Sequence, residues 1–323
     1  MNEKDERKSG PPEPLAPLPE SERGRRDVVS GDRQSPQIAG SRQLLSVVNH
    51  DRDREGMTYI YAVVSRRAGG VSLGINLNPN NACNWHCVYC QVPGLKRGPA
   101  PAIDHELFRR ELRAMLDSIV HGTYLAENAP PEARTLKDLA ISGNGEPTAC
   151  ATFDRVIDEV GEVLDAFGLK GKLPLTLITN GSLIGRARVL RGLQHFGKWG
   201  GEVWYKLDAI SDAQRREIND TPQSMEQVRR HLRLVSERAK LRLQRCVFAR
   251  DGQGPSVSEN QAYVDFVASL LAQGLPLAGV TIYGLARPSM QAQAERLSAL
   301  PREVLEAIAQ PIRALGCAVD VHL

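Results

Sequence analysis

This 323-residue chain has no long apolar run, little aromatic content and almost no excess of either charge. No stretch is long and apolar enough to span a bilayer. Met1 opens the segment MNEKDERKSG with no apolar segment behind it, so the sequence reads as a cytoplasmic protein with no membrane association. A net charge of +3 does not by itself argue for a nucleic-acid binder, which shows a denser basic face. Six cysteines in so long a chain do not make a disulfide scaffold, and in a reducing compartment clustered cysteines point to metal or redox chemistry. No serine-type triad or carboxylate dyad stands out. What is present, 41% hydrophobic and 24% charged residues, is ordinary for a globular protein with one good-sized core.

The texture divides the chain in two. Residues 1–56 are rich in charged residues, Ser and Gly, and Pro11, Pro12, Pro14, Pro17 and Pro19 break any helix. Such a segment offers too little apolar surface to offset the entropy of ordering, so a disordered N-terminal tail is expected. A short apolar patch, Leu44-Leu45-Ser46-Val47-Val48, is a candidate for local packing or partner contact. From residue 57 to 323, short β-prone runs alternate with longer amphipathic stretches. Strands are expected at 59–64, 73–77, 138–142, 175–179, 202–207, 241–247, 279–283 and 318–321, and helices at 103–120, 153–167, 225–240, 257–273 and 301–315. This alternation predicts βαβ units and a parallel sheet. About six such units make a parallel (β/α)6-type partial TIM barrel the expected α/β fold. A doubly wound sheet has the same periodicity, and both architectures place a ligand site at the C-terminal ends of the strands.

The most informative of those strand ends is Asn76-Leu77-Asn78-Pro79-Asn80-Asn81-Ala82-Cys83-Asn84-Trp85-His86-Cys87-Val88-Tyr89-Cys90. Proline and asparagine mark it as a loop. A C-x3-C-x2-C loop wraps three thiolates around one compact inorganic centre, whereas iron–sulfur cubes normally take four cysteines. Three ligands with no nearby fourth leave one iron open to a small molecule, much as a catalytic metal keeps a free position. The same residues admit other readings. Cysteines at i, i+4 and i+7 line one face of a helix, His86 offers a fourth ligand for zinc, and Cys87–Cys90 is a redox CxxC that leaves Cys83 unexplained. The remaining cysteines, Cys150, Cys246 and Cys317, read as small buried residues.

Three further strand ends carry polar groups. In Ser142-Gly143-Asn144-Gly145-Glu146-Pro147, the glycines allow close backbone approach to a ligand, and Glu146 offers a carboxylate to an ammonium group. Thr179-Asn180-Gly181-Ser182 ends another strand and doubles as a turn and helix cap. Lys206 and Asp208 fall on one side of a strand end by alternation, either as a site for an anion or as a structural ion pair. Arg287, in a late Arg-Pro turn, is a candidate anion ligand, and Tyr283 or Gly284 a candidate pocket wall.

The C-x3-C-x-aromatic-C spacing, with Tyr89 before the last cysteine, resembles the signature of the radical S-adenosylmethionine (SAM) superfamily. Ser65-Arg66-Arg67 and Ser72-Leu73-Gly74-Ile75-Asn76-Leu77 resemble its wyosine-synthase-like iron–sulfur oxidoreductase branch. The resemblance runs from about residue 59 to the chain end, dense at the cysteines and sparser beyond. It implies an enzyme with a [4Fe-4S] cluster on Cys83, Cys87 and Cys90 and SAM bound to the open iron. One-electron cleavage of SAM would release a 5′-deoxyadenosyl radical that abstracts hydrogen from a substrate. By the same resemblance Gly143, Gly145 and Glu146 hold the SAM amino group, although Asn144 interrupts the family's consecutive glycines. Asn180 would meet the ribose, with Tyr89, Lys206 and Asp208 lining the cofactor site. A flavodoxin- or ferredoxin-like electron donor is implied, with a small-molecule, peptide or tRNA substrate. Wyosine-type tRNA enzymes are expected to carry upstream cysteines for a second cluster, and none precedes Cys83. The rival of another class is a non-catalytic zinc-stabilised interaction module, which leaves the Gly-x-Gly-Glu loop without a role.

Overall fold

The computed structural model describes residues 44–46, 55–65 and 68–323. Most of the expected tail lies outside the described residues. Of its described part, Leu45 is buried in the core and donates its amide to the Asn128 carbonyl at 2.7 Å, while Glu55 is buried and accepts from the Tyr124 hydroxyl at 2.6 Å.

Eight strands form the main sheet: β1 (Ile60–Ser65), β2 (Gly70–Ile75), β3 (Leu136–Ile141), β4 (Leu175–Thr179), β5 (Glu202–Lys206), β6 (Lys240–Cys246), β7 (Leu277–Tyr283) and β8 (Val319–His322). Their spatial order is their chain order. β1 pairs antiparallel with β2 as a hairpin, and every later pairing is parallel. A doubly wound sheet would reverse its strand order at a switch point; this one never does. It is therefore the curled, partial-barrel alternative, with β1 and β8 as its edges among the described residues.

The crossovers are α1 (His105–Val120), α2 (Phe153–Ala166), α3 (Ala187–Lys198), the pair α4 (Asp212–Asn219) and α5 (Met225–Ser236), α6 (Val257–Ala272) and α7 (Arg302–Ala314). They supply the six units expected. α1 starts where the Asp104 side chain accepts from the Leu107 amide, and it buries Phe108, Leu112, Met115, Leu116 and Ile119. Complete capping boxes, Ser224 with Gln227 and Ser256 with Glu259, open α5 and α6. The helix expected over 225–240 stops at Ser236: the Arg238 and Ala239 amides both turn back to the Val235 carbonyl, and the Arg238 carbonyl lies so near Gly197 of α3 that a Cβ there would meet it at 1.7 Å. The backbone turn there packs directly on α3, and Lys240 begins β6 instead.

Alternation along the strands assigns two different environments. Leu73, Leu139, Leu177, Tyr205, Leu243 and Ile282 point to the helices and are fully buried. The alternate residues, among them Ser72, Thr176, Trp204, Lys206 and Gln244, face an interior cavity of about 1030 Å3. This lumen, lined in part by polar side chains, stays open to ligands where a filled barrel would pack apolar side chains. Among the described residues no helix is long and apolar enough to cross a membrane.

Candidate functional site

The three half-buried cysteines lie at the C-terminal ends of the strands, and all three line the cavity. Their loop is shaped by its own asparagines. Asn76 and Asn78 are buried; the Asn76 side chain accepts from the Asn78 amide at 3.1 Å, and Asn78 Nδ2 donates to the Ala82 carbonyl at 3.0 Å. Asn81 takes the left-handed conformation, φ 56°, which asparagine tolerates better than most residues. The far side of the loop is clamped by the segment after β7. Ser289 donates to the Val88 carbonyl, and Met290 and Gln291 donate to that of Cys90.

The Gly143–Glu146 segment packs against this loop. A Cβ on Gly143 would meet Asn76 Oδ1 at 2.2 Å, and one on Gly145 would meet the Ala82 carbonyl at 2.1 Å. Backbone proximity between the two loops thus requires both glycines. Asn144, the departure from consecutive glycines, has a role of its own: its amide donates to Asn76 Oδ1 at 3.0 Å and its Nδ2 to Asn81 Oδ1 at 2.6 Å. Glu146 is 2% exposed, and its carboxylate accepts from the Thr148 amide and hydroxyl, the Thr179 hydroxyl and the Asn180 amide. Burial pushes its carboxyl above the usual range, and those donors oppose the shift. The carboxylate ties the end of β3 to the end of β4. No protein donor takes the backbone carbonyls of Gly143, Asn144 or Gly145 among the described residues.

Asn180 joins the same assembly. Its Nδ2 donates to Asn84 Oδ1 at 2.9 Å, and its Oδ1 accepts from the Ser182 amide and hydroxyl. Asn84 sits one residue beyond Cys83, so the β4 end grips the cysteine loop directly. Asp208 is a second anchor, 4% exposed. Its Oδ2 accepts from the Tyr89 hydroxyl and from Asn219 Nδ2, and its Oδ1 from the Cys246 amide. Lys206 makes no ion pair with it. The ammonium donates to the Tyr283 hydroxyl at 3.0 Å and lies 5.0 and 5.6 Å from the Tyr89 and Tyr283 ring centres. Burial acts to lower its pKa, but Tyr283, Asp208 and Cys87 more than offset that, leaving it well above the ordinary lysine value and charged. At the paired register position, Gln244 is 2% exposed and its side-chain Oε1 has no partner among the described residues.

Arg287, read from sequence as an anion ligand, donates through Nε and Nη2 to Gln91 Oε1. Cys150, Cys246 and Cys317 are buried, and Cys246 also lines the cavity. Asn84, Asn219, Ser289 and Gln291 were not legible as site residues. Their parts are set by long-range contacts, and isolated polar residues carry no spacing signal.

Among the described residues no three Cys, His, Asp or Glu side chains close on a point that a single ion would occupy. A cubane binds each thiolate at its own iron and suits three thiols spread along a loop that faces a cavity. Burial pushes the Cys83 thiol up to about 11 and that of Cys87 up to about 12, so both are protonated thiols here and would give up their protons on binding a metal centre.

A loop of three cysteines at the mouth of a curled parallel sheet defines an iron–sulfur radical enzyme fold, and the comparisons agree. Residues 77–241 match the radical SAM superfamily. That is just over half of the chain, which belongs to this superfamily; its members use a [4Fe-4S] cluster and SAM. UPF0026 protein MJ1312 of Methanocaldococcus jannaschii is 29% identical over 163 residues, 50% of this chain and 44% of that protein. A protein described as GTPase Obg, from Brachyspira hyodysenteriae, is 28% identical over 122 residues, 38% of this chain and 15% of that protein. The chain thus spans less than half the length of these two relatives. Among solved structures, Streptococcus suis SuiB bound to precursor peptide SuiA superposes with a TM-score of 0.55 at 14% identity, covering 79% of this chain and 49% of that one. A radical SAM methyltransferase from Sphaerobacter thermophilus gives 0.50 at 16% identity, covering 81% and 68%. These likenesses corroborate the fold.

Proposed function

We propose that this chain binds a [4Fe-4S] cluster through Cys83, Cys87 and Cys90, holds SAM against it, and acts on a small molecule or a peptide side chain. One observation carries the reading. The cysteine loop, the Gly143–Glu146 loop and the Asn180 turn are bonded to one another at a single mouth of the polar lumen. Such a cluster with SAM bound supplies one-electron cleavage of the sulfonium and hence a 5′-deoxyadenosyl radical. The protein supplies position, dryness and charge.

The open carbonyls of Gly143 to Gly145 accept an ammonium, and the buried Glu146 carboxylate behind them contributes negative charge while holding the loop. Lys206, an unpaired cation facing the cavity, takes a carboxylate. Asn180 borders the ribose position. Asp208 acts through Tyr89, holding the ring that lies beside the last cysteine. A lumen of about 1030 Å3 lies at the upper end of small-molecule sites and leaves room beside SAM for a compact substrate group. The reductant is a low-potential one-electron donor of flavodoxin or ferredoxin type.

The test is anaerobic reconstitution. The chain should carry about four irons and, with SAM and a reductant, release methionine and 5′-deoxyadenosine. Alanine at any of the three cysteines should abolish both properties. Lys206→Met should keep the iron and raise the SAM concentration needed by about tenfold or more, roughly 1.4 kcal/mol. Stoichiometric zinc in place of iron overturns the reading in favour of the zinc module. Tight tRNA binding with modification of a base moves the substrate assignment to the wyosine type.

A further inference from the structure

The C-terminal turn of α4 approaches the cysteine loop more closely than any feature of its sequence suggests. The Asn219 carbonyl accepts from the His86 amide at 3.1 Å, and the Ile218 carbonyl from the Val88 amide at 2.8 Å. These bonds flank Cys87 on both sides and fix its position against the helix end. The Asn219 side chain, 1% exposed, then places Nδ2 at 3.3 Å from Cys87 Sγ and 2.7 Å from Asp208 Oδ2. One amide nitrogen carries two N–H groups, enough for one donor to each acceptor.

The amide orientation is determined. A flip would turn Oδ1 toward the Asp208 carboxylate, also an acceptor. As it stands, Oδ1 is buried with no partner among the described residues. The side-chain bonds that Asn219 makes are therefore those of its nitrogen. Asp208 fixes it from behind, since that carboxylate also receives Tyr89 and the Cys246 amide. Cys83 receives a backbone donor, the Trp85 amide at 3.4 Å. Asn219 is the one side-chain N–H donor to any of the three thiols among the described residues.

We propose that Asn219, oriented by Asp208, sets the reduction potential of the cluster through its hydrogen bond to Cys87. The proposal rests on the cluster assignment made above. Negative charge on the ligating sulfurs grows when the cluster accepts an electron, so a donor to sulfur stabilises the reduced form and raises the potential. Asn219 is a positioning and tuning residue that touches the ligand, not the substrate.

The experiment is a redox titration of the reconstituted full chain without SAM, followed by EPR, comparing wild type with Asn219→Leu. Leucine keeps the volume and removes the donor. Asn219→Leu should retain about four irons and titrate at a lower potential, the reduced-to-oxidised ratio at fixed potential falling about tenfold, equivalent to about 59 mV for one electron. Full iron with an unchanged midpoint overturns the proposal. The second measurement needs no variant. In wild-type protein carrying 15N in asparagine side-chain amides, pulsed EPR of the reduced cluster should show a coupled 15N; its absence overturns the proposal even where Asn219→Leu loses iron. A wild-type chain that takes up no iron contradicts the cluster assignment instead, and that outcome is read from the unmodified protein alone.

Discussion

Gly145 shows what a single missing side chain does here. Because a Cβ there would fall 2.1 Å from the Ala82 carbonyl and 2.7 Å from Asn78 Cγ, Gly145→Ala must push the cysteine loop away from β3. Overpacking of this kind costs about 1–3 kcal/mol. The variant should therefore unfold at lower denaturant and, in the reconstitution assay, take up less iron than wild type. Wild-type iron content in Gly145→Ala would show that the two loops do not depend on each other. The sequence marked Gly143, Gly145 and Glu146 as a strand-end cluster, and they follow β3 in the structure. It did not reveal that Glu146 has four protein donors, because Thr179 and Asn180 lie more than thirty residues away in the chain.

At the scale of elements, the long amphipathic helices and the strands were legible because their apolar periods are strong. α3 and α4 were not assigned. α4 buries only Arg215 and Asn219, so no apolar stripe announces it, although it supplies the side chain that reaches Cys87. The neighbouring α5 carries a pH-dependent contact. His231 is buried, and its Nδ1 donates to the Gly181 carbonyl at 2.8 Å, holding the turn that follows Asn180. Burial lowers its pKa below the ordinary 6.5. Above that value histidine is neutral in both states and the contact is fully present. As pH falls from about 6.5 toward the lower folded value, only the unfolded chain takes up the proton, so stability is lost. Denaturant midpoints should hold steady above neutrality and decline below it, and His231→Gln should flatten that decline. An identical acid limb in the variant would assign the effect to other groups.

Across the main sheet run contacts that no local pattern encodes. Arg242 on β6 pairs with Glu202 on the adjacent β5 and reaches past β7 to Asp320 on β8 at 2.6 Å. Gly279 makes that reach possible: it stands opposite Arg242 in register, and a Cβ there would meet Arg242 Nη1 at 2.9 Å. Arg242→Met should lower stability by about 1–3 kcal/mol, the range for losing hydrogen bonds to a charged group. Removing the exposed Arg296–Asp251 pair should leave it almost unchanged, since solvent screens such a pair. Equal effects in chemical denaturation would mean that the triad does not brace the sheet.

By itself the sequence determined the class of fold and carried the resemblance to the radical SAM superfamily. Cysteine spacing is local, so Cys83, Cys87 and Cys90 are legible as a set wherever the loop is placed, and the alternation of strand and helix periods specifies βαβ units. Tertiary structure decided the rest. It resolved the partial barrel against the doubly wound sheet, because strand order is a property of the assembled sheet. It also placed Asn219 at Cys87 and freed Lys206 from Asp208, because side chains dozens of residues apart meet only when the strands curl around a common lumen.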